Sequence, residues 1–366
     1  MFSGRQEQKL SGETGGVSVR RLPIFFLIDV SESMVGKPIE CVENGIATII
    51  RTLKQSPYAL ETTVITVIVF AGKTKKIVSM QDLYTLDRVK LPIGGGTSLG
   101  HAMDFLMMDL SLSVKKNSYE EKGDWRPLIF LFTDGNPTDD VTQSAARWKE
   151  NFSNNATFVA ISIGDNVDTR ILKQFTPNVF LLKNTDTASF EKFFDWITES
   201  INSSSKSVAS SRRDSGSIDA SKSQVLSSAD ESEVYSHPDE QHVVILGRCQ
   251  NYPEQFYLVK YEKTSGAGEA AEYQLEGCYP LKDEMRDMYF DLSVDDAGKQ
   301  NQRINTDHLY GHPKCPICGN DSAIGICSCG GVLCVKNNEW NVCPHCGKRS
   351  FFGSAKKGLD IARTIG

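Results

Sequence analysis

Asp29, Ser31 and Ser33 stand at alternating positions as D-x-S-x-S, directly after the apolar run Phe25 to Ile28. One carboxylate and two hydroxyls leaving the end of a buried strand direct hard oxygen ligands at one spot, and small hard cations favour such ligands. A second acid, Asp134, follows another apolar run in Thr133-Asp134-Gly135, and Thr97 lies in the loop Gly94-Gly-Gly-Thr-Ser98. Two carboxylates, two serines and a threonine make an oxygen-only site with few full charges. Such a site suits Mg²⁺, with Mn²⁺ or Ca²⁺ as alternatives, and leaves a coordination position for another molecule. Taken alone, Asp29 to Ser33 reads equally well as a strand end with a Ser-rich capping turn. The positions of Asp134 and Thr97 favour the metal.

A second chemistry lies in the cysteines. Cys315-Pro-Ile-Cys318-Gly and Cys343-Pro-His-Cys346-Gly are two C-P-x-C-G knuckles, each able to turn two thiolates toward one ion. Paired, Cys315, Cys318, Cys343 and Cys346 would make a closed tetrahedral zinc site, structural because no position is open for substrate. Between the knuckles stand Cys327, Cys329 and Cys334, which either hold a second Zn²⁺ with a fourth ligand or pack in a hairpin. His312, His345 and Cys278 are the candidates for that fourth ligand. Cys249 and Cys278 otherwise read as ordinary strand residues, and Cys41 as core. Since a structural zinc contributes folding free energy outright, Cys315→Ser is expected to unfold its own domain and spare the rest.

These residues need elements to position them. Leu22–Val30, Thr62–Phe70, Pro127–Phe132, Thr157–Ile163 and Val179–Leu182 read as buried strands, with Lys75–Ser79 as an edge partner. Helices are expected after Gly36-Lys-Pro38, over His101–Leu110, Val141–Asn151, Thr169–Phe175 and Phe190–Ile201. Strand and helix in alternation imply an α/β fold with a doubly wound, mainly parallel sheet, whose ligands gather at the carboxyl ends of the strands. Residues 1–20 read as a mobile tail and 21–202 as this first domain. Residues 203–240 read as a Ser-rich linker: 14 of the 35 residues from Asn202 to Ser236 are serine, too few of the rest being apolar to fold. Such a linker joins two bodies without fixing their geometry. Val243–Leu246, Phe256–Tyr261 and Tyr273–Leu275 alternate like short antiparallel strands, so 241–347 reads as a small β-rich, zinc-ribbon-like domain and 348–366 as a basic tail.

The net charge of −6 argues against a chain built mainly to coat nucleic acid. The apolar runs are too short to span a bilayer and the first 20 residues lack an apolar signal core, which places the chain in the cytoplasm, where thiols stay reduced. Enzyme readings fare poorly. A haloacid-dehalogenase-type phosphatase needs an acid two residues after its first aspartate, where this chain has Ser31. Gly72-Lys-Thr74 lacks the earlier glycine of a phosphate loop, Val67 standing there. His101 reads as a surface or capping histidine, and Asp139 and Asp140 as the cap of the following helix.

Asp29, Ser31, Ser33, Thr97 and Asp134 together resemble the metal-ion-dependent adhesion site of von Willebrand factor A domains. In that family these residues hold a metal whose shell a partner's carboxylate completes, which implies binding and not catalysis. The order of parts, this domain, a serine-rich linker and a cysteine-dense C-terminal domain, resembles the TerY family of bacterial tellurium-resistance systems. That resemblance implies work beside a Ser/Thr kinase and a PP2C-type phosphatase in a stress-response module. Two rivals stand: a metal-dependent hydrolase using Asp29 and Asp134, and a nucleic-acid-binding zinc ribbon.

Overall fold

The apolar run that ends in Asp29 becomes an interior strand of a sheet. The computed structural model describes residues 20–119, 121–134, 137–163, 169–182, 194–203, 227–228, 241–266, 268–293, 303–353 and 358–364. Strand β1 (Leu22–Asp29) pairs in parallel with β2 (Thr63–Phe70) on one side, and β3 (Thr74–Asp82) closes that edge antiparallel. On its other side β1 pairs in parallel with β4 (Leu128–Thr133), followed by β5 (Thr157–Ile163) and β6 (Val179–Leu182). Ser227–Ser228, inside the serine-rich stretch, adds β7 antiparallel to β6, so the order is β3-β2-β1-β4-β5-β6-β7.

Every residue of β1 and β2 is buried because helices cover both faces. Alternate residues of β1 divide between two cores. Ile24, Phe26 and Ile28 meet the stripe Ile39, Val42, Ile46, Ile49 of α1 (Lys37–Leu53), and the helix α6 over residues 194–203 joins that layer through Phe194 and Ile197. Phe25 and Leu27 face α3 (Leu99–Ser113) and α4 (Thr142–Asn151), with Leu106 and Trp148 in the same cluster. Two short helices complete the layers, α2 (Pro57–Thr62) joining the first through Ala59 and α5 (Thr169–Leu172) the second through Leu172. The sequence pattern gave no sign of α2, which is six residues long, starts at a proline and is capped by Ser56 accepting from the Ala59 amide.

The second domain is a six-stranded sheet. Its strands are β8 (His242–Arg248), β9 (Phe256–Ser265), β10 (Glu272–Leu281), β12 (Leu309–Tyr310), β13 (Ser322–Ile326) and β14 (Val332–Val335), in the order β12-β10-β9-β8-β14-β13. Beside it lie two small ribbons, β11 (Arg303–Asn305) with β17 (Asp360–Ala362), and β15 (Glu339–Val342) with β16 (Arg349–Phe352). Residues 349–352 and 360–362 thus belong to the domain, which corrects the expectation of a basic tail from 348 onward. Helix α7 (Asp283–Leu292) was not anticipated either.

The expectation that overturns most fully is the free linker geometry. The β8–β9 strands do not alternate between core and solvent, because both of their faces are buried. Val243, Ile245, Tyr257, Val259 and Tyr261 form the domain's own core. Val244 and Leu258, on the opposite face, join Leu281, Tyr289 and Leu292 in the same apolar cluster as Ile28, Val30 and Val35 of the first domain. Side chains in a strand alternate by face, so Lys260 also points toward the first domain, where its Nζ donates to the Val35 carbonyl at 3.3 Å. Direct packing, not the linker, sets how the two domains sit.

Candidate metal centres

The order reversal of the sheet falls at β1. Its successor β2 lies on one side and the next parallel strand, β4, on the other, and such a switch point opens a crevice at the strands' carboxyl ends. Asp29 ends β1 and Thr133-Asp134 ends β4, so the two sequence-predicted acids meet across that crevice. A chain of short hydrogen bonds records the convergence. The Ser31 amide donates to Asp29 Oδ1 at 2.9 Å, the Ser31 and Ser33 hydroxyls are 2.9 Å apart, and Ser33 Oγ donates to Asp134 Oδ1 at 2.9 Å. Thr133 Oγ1 donates to Asp29 Oδ2 at 2.6 Å and holds that carboxylate from behind.

Thr97 arrives from the other wall. Its loop is tied to the D-x-S-x-S loop by a parallel bridge between Ser31 and Gly94, and to the loop after β4 by the Thr138 amide and hydroxyl, which donate to the Thr97 carbonyl at 2.7 and 3.1 Å. Asp139 accepts from the Gly100 and His101 amides at 3.1 and 3.0 Å, so it caps α3, the helix that follows Thr97. Only Asp140 caps α4, through the Thr142 amide and hydroxyl. That division corrects the reading of both acids as the cap of one helix. The two caps lock the loops of Thr97 and Asp134 together. His101 is exposed, with Nδ1 3.2 Å from Thr74 Oγ1. Gly135 lies outside the described residues.

All five oxygen-bearing residues therefore lie on three adjoining loops, and their donors are the kind Mg²⁺, Mn²⁺ or Ca²⁺ prefer. Burial pushes the Asp29 carboxyl up to about 6 against hydrogen bonds from Thr133 and Ser31. Burial and then the Asp29 charge push Asp134 up to about 7, partly countered by the ammonium of Lys260. Two carboxylates held this close, short of water, gain from a divalent ion between them.

The sign of the pH effect follows. Both folded-state values exceed those of an unfolded aspartate, so the metal-free protein binds more protons folded than unfolded between about pH 4 and 7. In chelator its stability should fall as pH rises from about 4 to 7, lowering Tm by roughly 2 to 5 °C between pH 5.5 and 8. Added Mg²⁺ should cancel the loss, with an affinity that weakens as pH drops below about 7 because protons compete for the same oxygens. Thermal melts at pH 5.5 and 8, with and without Mg²⁺, check both halves.

The cysteines regroup. Cys249, Cys315, Cys318 and Cys334 form one set whose sulfurs all lie within 4.8 Å of one another, and Cys327, Cys329, Cys343 and Cys346 form a second. Measured separations are 4.0 Å for Cys315–Cys249, 3.9 Å for Cys334–Cys249 and 3.6 Å for Cys318–Cys334 in the first set. In the second they are 3.7 Å for Cys327–Cys346 and 3.8 Å for Cys329–Cys343. A ZnS₄ tetrahedron with bonds of about 2.3 Å has edges of about 3.8 Å, whereas a disulfide would bring the sulfurs to about 2.05 Å. Both sets thus have the donors and spacing of a closed four-thiolate site.

The two knuckles consequently serve different centres, which corrects the pairing of Cys315 and Cys318 with Cys343 and Cys346. Cys327 and Cys329 side with the second knuckle and Cys334 with the first, because β13 and β14 form a hairpin that sends the thiols at its two ends to different places. The missing fourth ligand of the first set is Cys249, not His312, His345 or Cys278. His345 Nε2 instead lies 2.9 Å from the Val332 carbonyl. Cys249 follows β8 in a short turn where its amide donates to the Gln255 carbonyl at 2.9 Å. Its signal was arithmetic: eight thiols make two complete sites, and the stretch from 315 to 346 supplies seven. Gly319 and Gly347 close the knuckles at φ of 76° and 74°, and Gly330 closes a third turn at Cys327–Cys329 at 87°, a left-handed backbone suited to glycine.

Comparison with known proteins matches the description von Willebrand factor type A domain to residues 24–196 and TerY-C metal binding domain to residues 239–366. No curated protein matches the chain. Among solved structures, proximal thread matrix protein 1 from the mussel byssus is similar at 15% identity, covering 49% of this chain and 47% of that one, with a TM-score of 0.37. The pilus adhesin SpaC from Lactobacillus rhamnosus GG is 12% identical over 50% of this chain and 30% of its own, with a TM-score of 0.42. The chain thus spans less than half the length of either. Among the described residues no helix is long and apolar enough to cross a membrane.

Proposed function

The chain belongs to the proteins that join a von Willebrand factor type A domain to a TerY-C metal binding domain, and from that premise we propose that it is a non-enzymatic, metal-dependent scaffold. A divalent cation, Mg²⁺ first among the candidates, sits among Asp29, Ser31, Ser33, Thr97 and Asp134. Its remaining coordination position takes a carboxylate from a partner protein. The observation that supports this best is the hydrogen-bonded chain Asp29–Ser31–Ser33–Asp134, which lines up oxygen ligands from two strand ends at one switch point. The two four-thiolate sets hold Zn²⁺ and give the second domain its fold. In the cell the partners would be a Ser/Thr kinase and a PP2C-type phosphatase of a stress-response module, with tellurium resistance as one outcome of that module.

Asp29→Ala should leave the sheet folded, since the carboxyl sits at a strand end and not within a core, yet abolish chelator-sensitive capture of partners. Co-purification from the native cell, wild type against Asp29→Ala and with and without chelator, measures it. Equal recovery in all four samples would remove the reading. The raised Asp134 carboxyl also suits a general base, which keeps a metal-dependent hydrolase as the second reading. Mg²⁺- or Mn²⁺-dependent phosphatase turnover abolished by Asp29→Ala would establish that alternative instead.

A further inference from the structure

The loops that carry the oxygen ligands are covered by the chain's own second domain. Tyr289 of α7 donates its hydroxyl to Glu32 Oε1, and Glu32, which lies between Ser31 and Ser33, is wholly buried. One turn on, the Leu292 carbonyl accepts from the Lys73 amide at 2.7 Å and Ser293 Oγ accepts from the Gly95 amide at 2.8 Å. Leu292 packs so closely on the Thr97 loop that a Cβ added at Gly94 would meet its Cβ at 2.6 Å. A Cβ at Gly36, just past the serine loop, would meet the Tyr279 hydroxyl at 2.5 Å. Lys260 reaches the Val35 carbonyl from β9. Asp29, Ser31, Ser33 and Thr97 are left buried at 0, 0, 7 and 2% exposure, and Asp134 alone keeps an intermediate edge.

We propose that the TerY-C domain is a lid in cis: α7 and β9 occupy the face that an acidic partner must approach, so domain docking and partner capture exclude one another. This rests on the metal-dependent capture argued above and adds its control. The contacts favour a removable cover over a permanent wall. They are carried by the end of α7 and one face of the β8–β10 sheet, while the first cysteine centre lies in the core on the opposite face with Val332 and Ala323 and the second lies in a separate cluster with Leu333 and Val335. Undocking therefore leaves both thiol sets in place, at the cost of exposing Val30 and Val35 to water. An acidic partner, or anything that withdraws α7, gains the face only by displacing Leu292 and Tyr289.

The test uses the full chain loaded with zinc. Leu292→Asp places a charge in the shared cluster, and Tyr289→Phe removes only the hydroxyl that meets Glu32. Hydrogen exchange is read at the Lys73 and Gly95 amides, whose partners are in α7 and just after it, with the Leu27 amide inside β1 as the control. Capture is read with a surface-immobilised glutamate-bearing peptide in Mg²⁺, and ion binding with Mn²⁺ alone. We expect protection of Lys73 and Gly95 in the wild type, at least tenfold faster exchange in Leu292→Asp with Leu27 unchanged, and at least tenfold tighter peptide capture. Tyr289→Phe should move both readings the same way by a smaller factor. Equal peptide capture by all three proteins, or capture by none while Mn²⁺ still binds through Asp29, would overturn the lid. Loss of Mn²⁺ binding in every protein would instead overturn the metal-dependent capture beneath it.

Discussion

Cys249→Ser should halve the zinc content of the purified chain, from two ions to one, and unfold the second domain. A structural zinc contributes about 10 to 16 kcal/mol of apparent binding free energy at neutral pH, as much as or more than the 5 to 15 kcal/mol that holds an ordinary domain together. Three thiolates without the fourth keep part of the binding but lose the closed shell that ties the β8 end to the first knuckle and to Cys334. Cys278→Ser is the control. Cys278 lies on β10 outside both sets, so that variant should keep two ions and a near-native melt. Elemental analysis beside circular dichroism separates the two, and the opposite pattern would return Cys278 to the first centre. The first domain should not escape unharmed, as the sequence alone suggests for Cys315→Ser. Val244, Leu258, Tyr289 and Leu292 share its core cluster, and losing them exposes Val30 and Val35 to water.

Glu276→Ala should cost about 3 to 5 kcal/mol, because it removes the one carboxylate in direct contact, among the described residues, with a lysine that water cannot reach. The Lys260 side chain is 2% exposed, and Glu276 Oε2 lies 3.0 Å from its Nζ. His242 Nδ1 stands 4.0 Å from the same carboxylate, but burial and the Lys260 charge push this imidazole down to about 3, so it stays neutral and cannot share the ion pair. The Val35 carbonyl supplies Lys260 with a dipole but no charge. Replacing both partners, as Lys260→Met with Glu276→Leu, removes the uncompensated charge and should return most of the loss. Denaturant titration of the three variants at neutral pH tests this. A double variant as unstable as Glu276→Ala would show that the pair is not the cause.

Much of the first domain was legible. Its strands are continuous apolar runs and α1 carries Ile39, Val42, Ile46 and Ile49 at helical spacing, so element type, parallel pairing and the functional edge follow from pattern alone. Asp29, Ser31, Ser33 and Asp134 draw notice for the same reason, since each stands at or beside the end of such a run, and Thr97 draws notice by its glycine-rich loop. Helix α7 was missed although Met285, Tyr289 and Leu292 recur at helical spacing and Asp283 and Glu284 suit its first turn. Its apolar stripe is short and amid polar residues. Val243–Leu246 and Phe256–Tyr261 are expected to alternate, yet each opens on four apolar residues in a row, the sign of a strand covered on both faces.

Sequence by itself determined which donors the chain carries: hard oxygens at strand ends of the kind divalent ions prefer, and enough thiols in tight turns for two four-thiolate sets. Those are local facts, set by residue type and by the few bonds around a knuckle or a strand end. Tertiary structure decided which thiols share an ion and whether the oxygen site faces water. Cys249 stands 66 residues before Cys315, and Tyr289 stands 257 residues after Glu32. No local pattern encodes either meeting, because each depends on how a hairpin and a sheet face find their partners. The buried face of β8 and β9 needs an apolar cover, and Ile28, Val30 and Val35 at the strand-end edge of the first domain supply it.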